Sequence, residues 1–89
     1  MIIVSQNKDI IANFDNIISL DTDQCNGVYV VECNFTNRNN VYLGEYETEE
    51  RAKEVLQEII KSYRHYRTAE CDGYTNVLEE TAVFEMPKE

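Results

Sequence analysis

The residues most able to do chemistry lie together in one stretch, Lys61-Ser62-Tyr63-Arg64-His65-Tyr66-Arg67. It holds three of the chain's eight Lys/Arg residues, its single histidine, two of its six tyrosines and no acid. Arginine and lysine supply charge-assisted hydrogen bonds to phosphate, and a tyrosine ring supplies a stacking face for a base. The stretch therefore points to a nucleotide-like small molecule, with Lys61, Arg64, His65, Tyr66 and Arg67 as the candidate ligand-binding residues. The same residues also serve a plainer role. Cations near a helix C-terminus complement its dipole, and tyrosines pack in cores. At about 100° per helical residue, Tyr63 and Tyr66 fall with the apolar positions, Lys61 and His65 point away, and Arg64 and Arg67 flank the stripe. A homo-oligomer would change that balance, because a two-fold axis brings one patch together twice.

Catalysis finds less material. His65 is the natural base near neutral pH, and Cys71 follows in a region that reads as loop, but no orienting motif joins them. Glu49-Glu50 and Glu79-Glu80 are adjacent acids of the kind that coat solvated surfaces. No phosphate-cradling glycine loop and no GxSxG elbow occurs. Cys25, Cys33 and Cys71 are an odd set with no close pairs. With His65 they would make a Cys₃His zinc set, yet structural zinc takes its ligands in close pairs, so no metal is expected. The expectation is a non-enzymatic protein without cofactor.

Charge and length set the frame. Seventeen acids against eight bases give a formal charge of −9 over 89 residues. That length is one domain, 1–89, too short for a separate cofactor domain. The field repels nucleic acid and anionic membranes, and no apolar run approaches the roughly 18–20 residues of a membrane span. Neither a nucleic-acid nor a membrane partner is expected. With no secretory or lipidation segment recognised, a cytoplasmic protein is. Net charge keeps a small protein soluble; it also allows an acidic face to dock on a basic protein.

The elements that must position these residues are mostly strands. Met1–Val4, Ile10–Phe14 and Asn16–Leu20 are short apolar runs separated by polar turns. Asp21–Gly27 is polar and ends in Asn26-Gly27, a hairpin signal. Val28–Phe35 then alternates, with Tyr29, Val31, Cys33 and Phe35 on one face and Val28, Val30, Glu32 and Asn34 on the other. Thr36–Asn40 reads as a turn, Val41–Tyr46 as a strand and Thr81–Met86 as a last strand stopped by Pro87. Between them, Ala52, Val55, Leu56, Ile59, Ile60, Tyr63 and Tyr66 recur at helical spacing after a Thr48 N-cap, and Thr68–Glu80 reads as a loop. The fold class is α+β: an antiparallel sheet of about five or six strands with one amphipathic helix on one face. Tyr42 and Tyr46 alternate with Val41 and Leu43, which puts them on the open face if the aliphatics face the helix. With Tyr74 they form a candidate interface set, since exposed tyrosines favour contact surfaces.

Four stretches carry a resemblance. They are Ile3-Val4-Ser5-Gln6-Asn7-Lys8, Ala12-Asn13-Phe14-Asp15-Asn16, the run from Leu43-Gly44-Glu45-Tyr46 to Glu54-Val55-Leu56, and Phe84-Glu85-Met86-Pro87. Together they resemble a group of short proteins encoded by phages and prophages of Gram-positive bacteria, over about half the chain. The resemblance carries over no catalytic residues. It implies a phage-type setting inside an infected host. There, a small counter-defence protein would sequester a nucleotide-like immune signal in an oligomer. The −9 charge points instead to an acidic inhibitor of a host defence protein, mimicking nucleic acid or acting like an anti-CRISPR. A structural or regulatory phage protein is the third reading.

Overall fold

The computed structural model describes residues 1–35, 40–72 (side chains through 68) and 83–89. Six strands and one long helix follow in the order β1 (Ile2–Val4), β2 (Ile11–Asn13), β3 (Ile17–Cys25), β4 (Val28–Phe35), β5 (Val41–Tyr46), α1 (Glu49–Asp72) and β6 (Val83–Glu85). The class is α+β, but the strands do not form one sheet. They make two three-stranded sheets, β2-β1-β6 and β3-β4-β5. Nor is every pair antiparallel, since β6 runs parallel to β1. The reason is strand length. β1, β2 and β6 are three residues each, and the chain turns away at Ser5 before a ladder to β5 can grow. One backbone bond joins the two sheets, from Gln6 N–H to the Leu43 carbonyl at 2.7 Å.

The β3–β4 hairpin turns on Asn26 and Gly27, both at positive φ, as the dipeptide predicts. The polar run Asp21–Gln24, which reads as a connection, is part of β3. Its alternation is hidden because only one of its faces meets the core. A β-bulge at Ile18 lets Ile17 and Leu20 both face inward, which strict alternation forbids, and leaves Ile18 itself 65 % exposed. Phe14–Asn16 is a 3-10 turn rather than strand, capped by Asn13, whose Oδ1 accepts from Asp15 N–H at 3.0 Å. The Thr36–Asn39 turn, and Thr81 and Ala82 of the last strand, lie outside the described residues.

Helix α1 starts where its cap predicts, with Thr48 Oγ1 accepting from Arg51 N–H at 3.1 Å. The expected i,i+4 pair forms between Lys53 and Glu49 at 2.8 Å. The helix continues to Asp72, beyond the expected end near Arg67. No glycine or proline interrupts it before Gly73, so nothing in Thr68–Asp72 stops it. Ala52, Val55 and Ile59 are buried against Val31, Cys33 and Leu43 of the larger sheet, and Met1, Ile3, Ala12 and Met86 bring the small sheet into the same core. At the far end Phe14 stacks on Tyr63, ring centroids 4.3 Å apart.

Gln6 holds the two sheets and the C-terminal segment in register. Its side-chain Oε1 accepts from Glu45 N–H at 2.9 Å. Its amide nitrogen donates to the carbonyls of Glu45 (3.0 Å), Pro87 (3.2 Å) and Lys88 (2.8 Å). The Gln6→Ala variant therefore loses several bonds at once. A stability loss of about 2–3 kcal/mol is expected, read by chemical denaturation. An unchanged midpoint would remove Gln6 from this role.

Candidate functional site

Side chains on the larger sheet divide into a core face and an open face. On the open face, β3 presents Asp21, Asp23 and Cys25, β4 presents Val28, Val30, Glu32 and Asn34, and β5 presents Tyr42 and Glu45. Asp21, Asp23 and Glu45 are exposed. Tyr42 is 45 % exposed, and its hydroxyl donates to Cys25 Sγ at 3.8 Å. That contact runs from β5 to β3, so the ring lies across the central strand, and both Val30 and Glu32 beneath it are buried. The face is thus one half-exposed aromatic ring among carboxylates. Glu32 is only 4 % exposed. Burial first, then the Asp21 carboxyl, push its pKa above the ordinary carboxylate value, against a hydrogen bond from Asn40 that lowers it.

The two tyrosines of β5 do not share this face. Tyr42 lies on it; Tyr46 is 3 % exposed and belongs to the core. Both Leu43 and Gly44 sit opposite Val31, so one extra residue resets the alternation between the two tyrosines. Tyr46 hydroxyl then donates to the Pro87 carbonyl at 2.8 Å, and burial pushes its pKa up to about 12. Gly44 suits this close approach: a Cβ there would stand 3.0 Å from Tyr46 Oη and 3.3 Å from Met86 Cε, and the neighbours would have to shift by a few tenths of an ångström. Tyr74 lies outside the described residues.

The basic segment lies on the second half of α1. Lys61, Arg64, His65 and Arg67 are exposed, while Tyr66 is half-buried beside Tyr63, 6.3 Å between ring centroids. Lys61, Arg64 and His65 therefore radiate into solvent from the side of the helix opposite Tyr66 and the core. Within one chain Lys61, Arg64 and His65 do not converge with the Tyr66 ring. The side chain of Cys71, the other half of the imagined Cys–His pair, lies outside the described residues, as do Glu79 and Glu80. Glu49 and Glu50 stand exposed on the first turn of α1, and Glu49 is paired with Lys53.

A groove of about 630 Å³ opens between the end of β5, the start of α1 and the C-terminal segment. Two of its polar side chains, Gln6 and Arg51, are already engaged. Arg51 Nε donates to the Glu89 carbonyl at 2.8 Å, its Nη1 reaches Glu54 at 3.0 Å and Glu58 at 3.5 Å, and its guanidinium lies 5.9 Å from the Tyr46 ring centroid. Arg51 and Gln6 are the residues that sequence reasoning missed here. Nothing local marks their part in the groove, because the backbone carbonyls they hold there lie about forty to eighty positions away. The acidic open face was hidden for another reason: Asp21, Asp23 and Cys25 alternate as a strand does, inside a run that composition alone reads as a connection.

Among the described residues, no three His, Cys, Asp or Glu side chains are grouped to hold a metal ion, and no helix is long and apolar enough to cross a membrane. Compared with known protein families, with curated proteins and with solved structures, the chain matches none. Cys25 and Cys33 are free thiols. Cys33 is buried, and desolvation followed by Glu32 and Asp21 raises its pKa to about 11. In a Cys25→Ser/Cys71→Ser variant, Cys33 is expected to resist a thiol reagent at about pH 8 until the protein is denatured, because the thiolate is the reactive form. Rapid labelling of the folded variant would contradict the burial.

Proposed function

We propose that this protein is a non-enzymatic binding protein of the phage counter-defence type. It works by occupying a basic surface of a host protein with the open face of β3–β5. The observation that carries this reading is Tyr42, half-exposed on a strand face whose charged neighbours among the described residues, Asp21, Asp23 and Glu45, are acids. A tyrosine offers large contact area at small entropic cost, and the surrounding charge selects a partner of opposite sign and speeds the encounter. Occupancy needs no turnover, which suits a small protein. The resemblance of four segments to short phage proteins supports the setting.

A second reading keeps the basic segment as a nucleotide site. It is favoured by the common exposure of Lys61, Arg64 and His65 along one side of α1. Because Tyr66 faces the other way, this reading requires a homo-oligomer in which one copy supplies the phosphate contacts and another the ring.

Two variants separate the readings. Asp23→Lys/Glu45→Lys reverses two exposed charges on the open face, and Lys61→Ala/Arg64→Ala removes two cations from the helix. Under the first reading, salt-sensitive capture of a basic host protein weakens at least about tenfold in the sheet variant and is retained in the helix variant. Under the second, cyclic or linear nucleotides raise the melting temperature of the unaltered protein, and the helix variant loses that rise. A sheet variant that captures the same partner as tightly as the unaltered protein overturns the docking proposal.

A further inference from the structure

The buried carboxyl of Glu32 has a role that docking alone does not give it. Glu32 stands directly opposite Asp21 in the β3–β4 ladder, where facing side chains have Cβ atoms about 4.5–5.5 Å apart. A hydrogen bond with the Asp21 carboxyl is among the causes that raise the Glu32 pKa. Two ionised carboxylates cannot make that bond, since each only accepts. Glu32 Oε2 has no surface open to water and no hydrogen-bond partner among the described residues. Among the described residues, the charged groups acting on Glu32 are Asp21 and, one pair further along β3, Asp23; Asn40 contributes a neutral hydrogen bond. Tyr42 of β5 pairs with it on the other side, and Val30 and Asn34 flank it on β4. A buried anion facing two other anions across the β3–β4 ladder is unfavourable, and the group relieves it by keeping a proton.

We propose that Asp21 and Glu32 share one proton in the folded protein, forming a pH-sensitive carboxyl pair beneath Tyr42 at the centre of the acidic face. A proton fits where a metal ion does not. An oxygen with no accessible surface leaves no room for an ion, and no three ligating side chains are grouped there among the described residues. The proton is held on Glu32, whose burial disfavours the charged form, and is donated to Asp21. Its release places two like charges opposite each other and draws Glu32 outward, against the ring that covers it.

The sign of the linkage follows. The folded pair holds a proton that the unfolded chain releases near the ordinary carboxylate value of 4.5. Stability from this source is complete below that value and is lost as pH rises through the folded pair's own value. Glu32→Gln keeps the shape and donates permanently to Asp21. Its melting temperature relative to the unaltered protein is expected to be near equal at about pH 5 and higher by about 5 °C at about pH 8. The solvated His65 is common to both proteins and cancels from that difference. A difference that does not change with pH overturns the proposal.

A carboxyl-carbon NMR titration of the unaltered protein reads the same pair without any substitution. A Glu32 midpoint above the ordinary value supports the shared proton, and an ordinary midpoint overturns it. Magnesium or calcium chloride at about pH 8 is expected to leave the melting temperature unchanged; a rise abolished by Glu32→Gln would replace the proton with a cation. All three measurements use the protein alone, so their outcome is separate from that of the docking experiment.

Discussion

One extra residue in β5 governs where the rest of the molecule can go. Leu43 and Gly44 together face Val31, and the strand on either side keeps its hydrogen bonds while its faces exchange. Before the bulge, Tyr42 lies over Val30 and Glu32 on the open side; after it, Tyr46 enters the core and binds the Pro87 carbonyl. The missing side chain at Gly44 is what lets the Tyr46 ring and Met86 approach that closely. The Leu43 carbonyl turns outward and accepts the single backbone bond from Gln6 that joins the two sheets. Core closure, sheet junction and open face therefore share one local departure from regular alternation.

The junction it creates is built from polar groups reaching across long stretches of chain. Gln6 lies in a turn that is itself fixed by Ser5, whose Oγ accepts from Ile10 N–H at 3.0 Å and donates to Asn7 Oδ1 at 2.8 Å. Lys8 adopts positive φ there, which closes the turn and aims Gln6 at β5 and at Pro87–Lys88. Arg51 makes the matching tie from the helix to the Glu89 carbonyl. These bonds fasten a parallel strand of three residues, which has few ladder bonds of its own to hold it beside β1. Buried apolar area drives the collapse; the amide of Gln6 and the guanidinium of Arg51 decide which arrangement of the short strands persists.

Sequence patterns were readable where one physical rule acted alone. The helix start, the Asn26-Gly27 hairpin and the inward set Tyr29, Val31, Cys33 and Phe35 each follow from a local rule, and all stand in the structure. They failed where a second constraint entered. Bulges at Ile18 and Leu43 break the period of two, so strict alternation assigns Tyr46 to the open face it does not occupy and does not single out Ile18. The polar run Asp21–Gln24 resembled a connection because an edge strand with one solvated face carries little apolar signal. The partition into two sheets depends on Gln6, whose partners no local window contains. Of the candidate site residues, the cations of α1 stood exposed as their helical angles require, whereas the carboxylates around Tyr42 became visible only through the β3–β4 register.

The charge of −9 is also unevenly arranged, and its arrangement bears on what the open face can do. The ion pairs Lys8–Glu85, Lys53–Glu49, Arg51–Glu54 and Arg51–Glu58 lie on the small sheet and the helix, and none of them touches Asp21, Asp23 or Glu32. The helix thus offsets part of its own acidity, while among the described residues no ion pair offsets the carboxylates of the open face. Such a face disfavours folding, which makes it costly to keep for stability alone. A basic partner would relieve the repulsion on contact, and the proposed proton between Asp21 and Glu32 would relieve it in the partner's absence. The two act on the same excess of negative charge. A partner's cation that reached this pair would compete with the proton, so binding at the centre of the face would release a proton and strengthen as pH rises.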